Sequence, residues 1–369
     1  MNMLFARIYG CEAAGTIGNS MGDVTEGYSY REIEEKFGFV DRLLEQDKPD
    51  RVRTMEYGPD LVYHAHHRPA GMTEDGQERH RLCTSAILKR NGRITISDLA
   101  ATWAEEIDPS RFGYLLGPQD QVIYYAIKAG IPPWEIGRYA AWPTFIGTTK
   151  MIMPVGMVNA CNPEQAAQDA LELGRLKDFR GMRGNYALEV CAATAAATAE
   201  ALKPGTDVAA IVETALSQLP AAAKEEVEAG LSWARAAESW RDLRPLYEER
   251  YHGHPMSNAV EILSGALACF VAAEGDPRNA ILYAVNLGRD TDCKAYIAGG
   301  LAGGLKGIDA VPAEWVRTVE DAAANDPYTV SNRTAREAAQ GLYEAALSTL
   351  RKMRATVRLA DELEANIRH

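Results

Sequence analysis

The chain has 369 residues, 47% of them hydrophobic and 24% charged, with a formal net charge of −12. That is the profile of a folded, water-soluble protein long enough to bury a substantial core. The acidic balance argues against a nucleic acid partner or an anionic membrane surface held by bulk charge, and no apolar run approaches the roughly 18 residues of a spanning helix.

Met1 to Arg7 lacks the charged-then-apolar build of a signal peptide. The six cysteines are scattered with no Cys-x-x-Cys pair, which fits a reduced, cytoplasmic setting better than a disulfide framework.

In chain order, Arg7 to Gly27 is rich in small residues and reads as a close-packed helix running into a loop that carries Glu26. Ser29-Tyr30-Arg31-Glu32 is a capping-box pattern opening a short helix to Phe37. Asp41 to Pro69 is a polar, turn-rich excursion, and its His64, His66 and His67 read as ordinary polar histidines because no cysteine or second cluster accompanies them. Thr73-Glu74-Asp75 opens a helix that ends near Arg90, with Asn91-Gly92 as the stop. Ser97 caps the next helix, which stops at Asp108-Pro109. Gln121 to Ala129 is helical, and Trp134 to Val158 reads as loop because of its prolines and glycines.

From Asn162 onward helical patterns dominate: Pro163 to Leu176, the alanine-dense Tyr186 to Leu202, Asp207 to Leu219, Pro220 to Trp233, Glu238 to Tyr247, Asn258 to Ala273 and Pro277 to Val285. A small-residue helix follows Asp290-Thr291-Asp292-Cys293, and Pro312 to Ala324 and Arg333 to Arg368 close the chain. No strand-period alternation, fixed-period repeat or linker interrupts this order. The expectation is one all-α domain over residues 1–369, built of about a dozen helices.

Two loop-to-helix junctions carry acids, Thr73-Glu74-Asp75 and Asp290-Thr291-Asp292, and Glu26 sits in a third loop. Unpaired backbone N–H groups and the positive dipole end favour carboxylates at such places, so each junction alone reads equally well as a helix cap. Together they are what a pair of hard cations would want: carboxylates and a hydroxyl, with room for retained waters. Nothing in the spacing makes them meet.

These segments resemble the ADP-ribosylglycohydrolases, the family that includes the dinitrogenase-reductase-activating glycohydrolase. The resemblance runs from Gly10 to Trp315 and rests on four pieces in order: Gly15–Gly27, Met72–Gly76, Pro154-Val155-Gly156 with Asn159 and Pro163, and Ala280–Gly304 followed by Gly307 and Pro312-x-x-Trp315. It implies an all-helical fold with two Mg²⁺ (magnesium) or Mn²⁺ (manganese) ions at the base of a cleft. Thr73, Glu74 and Asp75 would hold one ion with Asp292. Glu26, Asp290, Asp292 and the Cys293 position would hold the other. The implied substrate is ADP-ribosylated or otherwise ribosylated, cleaved at the N- or O-glycosidic bond of ribose C1, with Glu26, Glu74 or Asp75 moving the proton.

Departures from the family pattern cluster in the site. Asn19 stands in place of an aspartate and is read as supporting. Glu74 replaces the first aspartate of Thr-Asp-Asp, and Cys293 replaces Thr or Ser with a poor ligand for a hard cation. Gly147-Thr148-Thr149-Lys150-Met151 replaces a loop that borders the substrate, and Lys177 to Gly184 lacks a frequent histidine. The alternative reading is therefore a non-catalytic relative that binds a nucleotide or serves a structural role. Among the aromatic residues able to stack on a base are Tyr114, Tyr124, Tyr125, Trp142 and Tyr251, and Arg289 is read as an ion-pair partner for the acids. Asp292→Ala is expected to abolish metal binding and activity with the fold intact.

Overall fold

The structure, a computed structural model, describes residues 2–45, 68–112, 115–139, 142–181 and 183–367. The histidines at 64, 66 and 67 and Tyr114 lie outside these residues. Eighteen α-helices occur among the described residues. The first nine are α1 (Met3–Asp23), α2 (Tyr30–Phe37), α3 (Asp75–Arg90), α4 (Ile96–Glu106), α5 (Pro118–Lys128), α6 (Pro133–Ile136), α7 (Gly147–Lys150), α8 (Met153–Val158) and α9 (Pro163–Gly174). They are followed by α10 (Ala187–Ala201), α11 (Val208–Ser217), α12 (Ala221–Ala236), α13 (Leu243–Arg250), α14 (Ala259–Ala272), α15 (Pro277–Val285), α16 (Thr291–Lys306), α17 (Ala313–Asn325) and α18 (Ala335–Ile367). No strand forms among the described residues, and the two β-bridges, Tyr28–Arg289 and Phe145–Asn258, are isolated. None of the described helices is long and apolar enough to cross a membrane.

Helix ends follow local chemistry. The Ser29–Glu32 capping box forms as its pattern predicts. The cap of α4 is Thr95 rather than Ser97: its hydroxyl accepts from the Asp98 N–H, and the Asp98 carboxylate accepts from the Thr95 N–H. A Thr-x-x-Asp box satisfies two end donors at once, which a serine inside the first turn does not. Pro118 opens α5 three residues earlier than expected, at the first helical position where its missing N–H costs nothing. Between Trp134 and Val158, read as loop, the chain forms the four- to six-residue helices α6, α7 and α8.

The innermost contact is between α1 and α16, which run antiparallel in main-chain contact. A β-carbon at Gly10 would collide with the Gly303 carbonyl, one at Gly18 with the Ala295 carbonyl, and one at Gly22 with the Asp292 backbone. Reciprocally, Gly299 and Gly303 lie on Ala14 and Gly10. The small residues recur every three or four positions on both helices, which puts them on facing stripes. Around this seam one hydrophobic cluster extends from Ile8 through the alanines of α10 to Ala346 of α18. The seam fixes the C-terminal end of α1 against the N-terminal end of α16, and the acids stand at that junction.

Candidate active site

Asp290 caps α16, with Oδ1 accepting from the Cys293 N–H at 3.2 Å. Asp292 lies in the first turn and is buried, as are Asp290 and Cys293. The turn before the cap places Gly288 and Arg289 in the left-handed region, at φ 97° and 64°. There a β-carbon on residue 288 would press on the Tyr30 N–H, so glycine is required. The same turn pairs with the Glu26 loop: Gly27 N–H donates to the Arg289 carbonyl and Arg289 N–H to the Tyr28 carbonyl, both at 2.7 Å. Main chain alone thus ties the loop of Glu26 to the loop of Asp290. The Arg289 guanidinium turns away from the acids and pairs with buried Glu261 at 2.7 and 3.0 Å, a correction to the expected pairing with the site.

The second junction is built in the same manner. Glu74 caps α3, accepting from the Gly76 N–H with both oxygens at 3.0 Å, and Asp75 is the first helical residue. Asn19 of α1 clamps Glu74 from behind: its Nδ2 donates to Oε1 at 2.5 Å, and its Oδ1 accepts from the Glu74 N–H at 3.3 Å. An amide can do both, whereas an aspartate at position 19 could accept the N–H but would have no donor for the Glu74 carboxylate and would repel it. This is the supporting role read for Asn19. Arg68 donates to the Thr73 carbonyl from the other side.

The two junctions come together around a group that sequence reasoning had placed in the substrate wall. Lys150, the last residue of α7, is fully buried, and its Nζ donates to Glu74 Oε1 and to Asp292 Oδ2, the latter at 2.5 Å. Its carbonyl accepts from the Tyr296 hydroxyl at 3.0 Å. That hydroxyl is bonded to His80 Nδ1 at 2.6 Å, and His80 Nε2 lies 2.8 Å from Glu12. Burial would raise the pKa of Glu74, but the Lys150 ammonium and the convergent donors hold it well below the usual carboxylate range. Burial pushes Asp292 well above that range, and the charges of Asp290, Glu26 and Glu74 add to burial against the pull of Lys150.

Asp75 shares a hydrogen bond with Glu74 and pairs with Arg79 at 2.5 Å, and burial pushes its carboxyl well above the usual range. Arg79 also forks onto Asp120 through two 2.7 Å bonds, and Lys177 Nζ lies 3.5 Å from the same carboxylate. Burial opposes ionisation of Asp120, yet Arg79 and Lys177 outweigh it and bring the pKa down to about 2. Burial and Arg79 together bring Lys177 down to about 8. A carboxylate whose folded pKa lies below its ordinary 3.8 stabilises the fold above 3.8 and loses that contribution as pH falls toward about 2. The urea midpoint of the wild type should therefore exceed that of Asp120→Asn at neutral pH, with the gap closing between pH 3.8 and about 2. A gap that does not close across that interval would show that the pair is not ionic.

The residues differ in how well they suit a cation. Asp290 Oδ2, Asp292 Oδ1 and Thr73 Oγ1 are buried oxygens that accept or donate no hydrogen bond within the described residues. An unpartnered buried oxygen costs about 1–3 kcal/mol, and a coordinated hard cation removes that cost. Ligand atoms of Asp290, Asp292 and Cys293 lie within 4.8 Å of one another. This end fits one divalent ion held by the aspartates, while burial and those aspartates keep the Cys293 thiol protonated, donating to Asp292 at 3.8 Å. The other end does not fit. Glu74 is taken by an ammonium, an amide and a main-chain N–H, and Asp75 by Arg79.

Thr73, Glu74, Asp290, Asp292 and Cys293 are buried, and only Glu26 and Asp75 are partly exposed. Sequence reasoning missed Lys150, Arg79 and Asp120 as members of this group. Of the aromatics, Tyr124 packs on Phe112 and Tyr125, and Tyr251 donates to Glu226 at 2.6 Å. The Lys177–Gly184 segment supplies Asp178, Phe179, Arg180 and Gly181 to a separate surface cavity shared with Trp134.

The all-α frame closes two acidic helix starts over one buried point. The chain belongs to the ADP-ribosylglycohydrolase family, whose model matches residues 1–352. Among solved structures it is similar to one described as an ADP-ribosylglycohydrolase-related protein complex, at 21% identity and a TM-score of 0.63, over 94% of this chain and 100% of that one. At that identity the likeness speaks for the fold alone. No curated protein matches the chain.

Proposed function

We propose that this protein hydrolyses the glycosidic bond at ribose C1 of an ADP-ribosyl group or a related riboside, with one divalent cation, Mg²⁺ or Mn²⁺, at the Asp290–Asp292–Cys293 end of the acidic floor. The observation that carries the reading is the pair of buried, unpartnered oxygens, Asp290 Oδ2 and Asp292 Oδ1, beside the half-buried Glu26. A bound cation would orient the ribose hydroxyls and lower the pKa of a water. The rest is the work of side chains. Asp290, and Asp292 once a cation beside it favours its ionised form, would supply negative charge that favours positive charge developing at C1. Glu26 and Asp75, the two partly exposed acids, exchange the proton with water or the leaving group. Glu74, held by Lys150, Asn19 and Gly76, keeps its charge and its place, so it is removed from the proton-transfer role considered for it.

The buried ammonium on Glu74 and Asp292 favours a second reading, a relative that binds the nucleotide without cleaving it. Incubation with ADP-ribosyl-arginine and a riboside panel in Mn²⁺ separates the two. Release of free ADP-ribose or ribose is the expected result. Calorimetric binding of ADP-ribose with no release from any substrate would decide for the second reading.

A further inference from the structure

We infer that Lys150 is a built-in cation: its ammonium fills the place that the Thr73–Glu74–Asp75–Asp292 set would otherwise give to a metal ion, so the site takes at most one divalent ion. This deepens the proposed function, because it rests on reading the acidic floor as a cation site.

Several observations converge on it. Lys150 Nζ sits between one carboxylate from each junction, Glu74 and Asp292, as a bridging ion would. The position is built to receive it. A β-carbon at Gly76 would collide with Cδ and Cε of Lys150, so the first turn of α3 leaves a channel for that side chain. The lysine's main chain is pinned by the Tyr296 hydroxyl, and that hydroxyl by His80 and Glu12, so the stem enters from a fixed point. Glu74 reaches one methylene further than an aspartate, enough to meet an ammonium that stands off from the helix end. Asn19 donates to Glu74 and adds no charge of its own. The remaining acid of the set, Asp75, is engaged by Arg79 and by Glu74 itself.

Six acids, Glu26, Glu74, Asp75, Asp120, Asp290 and Asp292, stand against Lys150, Arg79 and Lys177. Arg79 and Lys177 lie on Asp75 and Asp120, so the excess of acids is left around Lys150 and the Asp290 end. Two divalent ions beside a buried ammonium would place like charges in contact in a low-dielectric interior, where their repulsion is poorly screened.

The test is the Mn²⁺ stoichiometry of the full chain, wild type against Lys150→Met and Lys150→Ala, by calorimetry. Each variant is expected to bind one Mn²⁺ more than the wild type. Without metal its melting temperature should fall below the wild type's, and saturating Mn²⁺ should raise it by roughly 3 °C or more. Equal stoichiometry in wild type and variants overturns the inference. If the variants do not fold, electron paramagnetic resonance of the Mn²⁺-titrated wild type decides: isolated Mn²⁺ or none upholds it, and the exchange-coupled signal of paired ions overturns it. A wild type that takes up no Mn²⁺ removes the cation from the proposed hydrolysis while leaving the lysine substitution in place, so the two failures are distinguishable.

Discussion

Asp292→Ala is expected to lower Mn²⁺ affinity and turnover together by at least about 100-fold, since even residues that only support a metal's ligands cost 10- to 100-fold when removed. The fold should survive. Two effects oppose each other: Lys150 loses one of its two carboxylates, and Asp290, Glu26 and Glu74 lose a like-charged neighbour. Lys150 keeps Glu74, so its charge is not left alone in the interior. The melting temperature should stay within about 4 °C of the wild type. Calorimetric titration with Mn²⁺, a hydrolysis assay and a thermal scan on one preparation would check all of this. Full activity in Asp292→Ala would remove residue 292 from the site.

Gly303→Val is expected to have the largest effect on folding. The β-carbon of residue 303 has no space, because it would enter the backbone of Gly10 and the side chain of Ala14. A valine adds two further methyl groups, and the rigid main chain opposite cannot yield as a side-chain tip can. Overpacking in an ordinary core costs about 1–3 kcal/mol, and against main chain the cost should reach the top of that range or beyond. The expected outcome is loss of soluble folded protein, or a urea midpoint far below the wild type's. As a control, Gly38→Ala meets no atom within 4 Å, although φ there is 69°, so its cost is backbone strain alone and smaller. If Gly303→Val unfolds at the wild-type midpoint, α1 and α16 do not touch as described.

What could be read from the residue order follows a physical line. Helices with clear caps are legible, as at Ser29–Glu32 and along Pro277–Val285, because their signals lie within a few residues of each other. The small residues at 10–22 were legible as a close-packed helix and those at 295–304 as a small-residue helix, but not as packing on each other. The helices between 133 and 158 escaped because four to six residues contain no full period of any pattern. In the site, the acids at 73–75 and 290–292 were found because helix starts carry a chemical signature. Lys150 was not, and no local signal could have revealed it. A lysine at the end of a four-residue helix reads as solvated until tertiary structure folds two acidic loops over it. The diversion of Asp75 to Arg79 is half legible, as an i, i+4 pair, but Asp120, which fixes that arginine, is 41 residues away.

The link between the loops of Glu26 and Asp290 is made by peptide groups, with Gly27 and Arg289 as donors and Arg289 and Tyr28 as acceptors. Peptide groups are the same whatever side chains they bear. Substitutions at 26 or 290 would therefore alter the site's electrostatic character while the two loops held their separation. Such a scaffold lets ligand preference drift through single changes, none of which has to rebuild the enclosure.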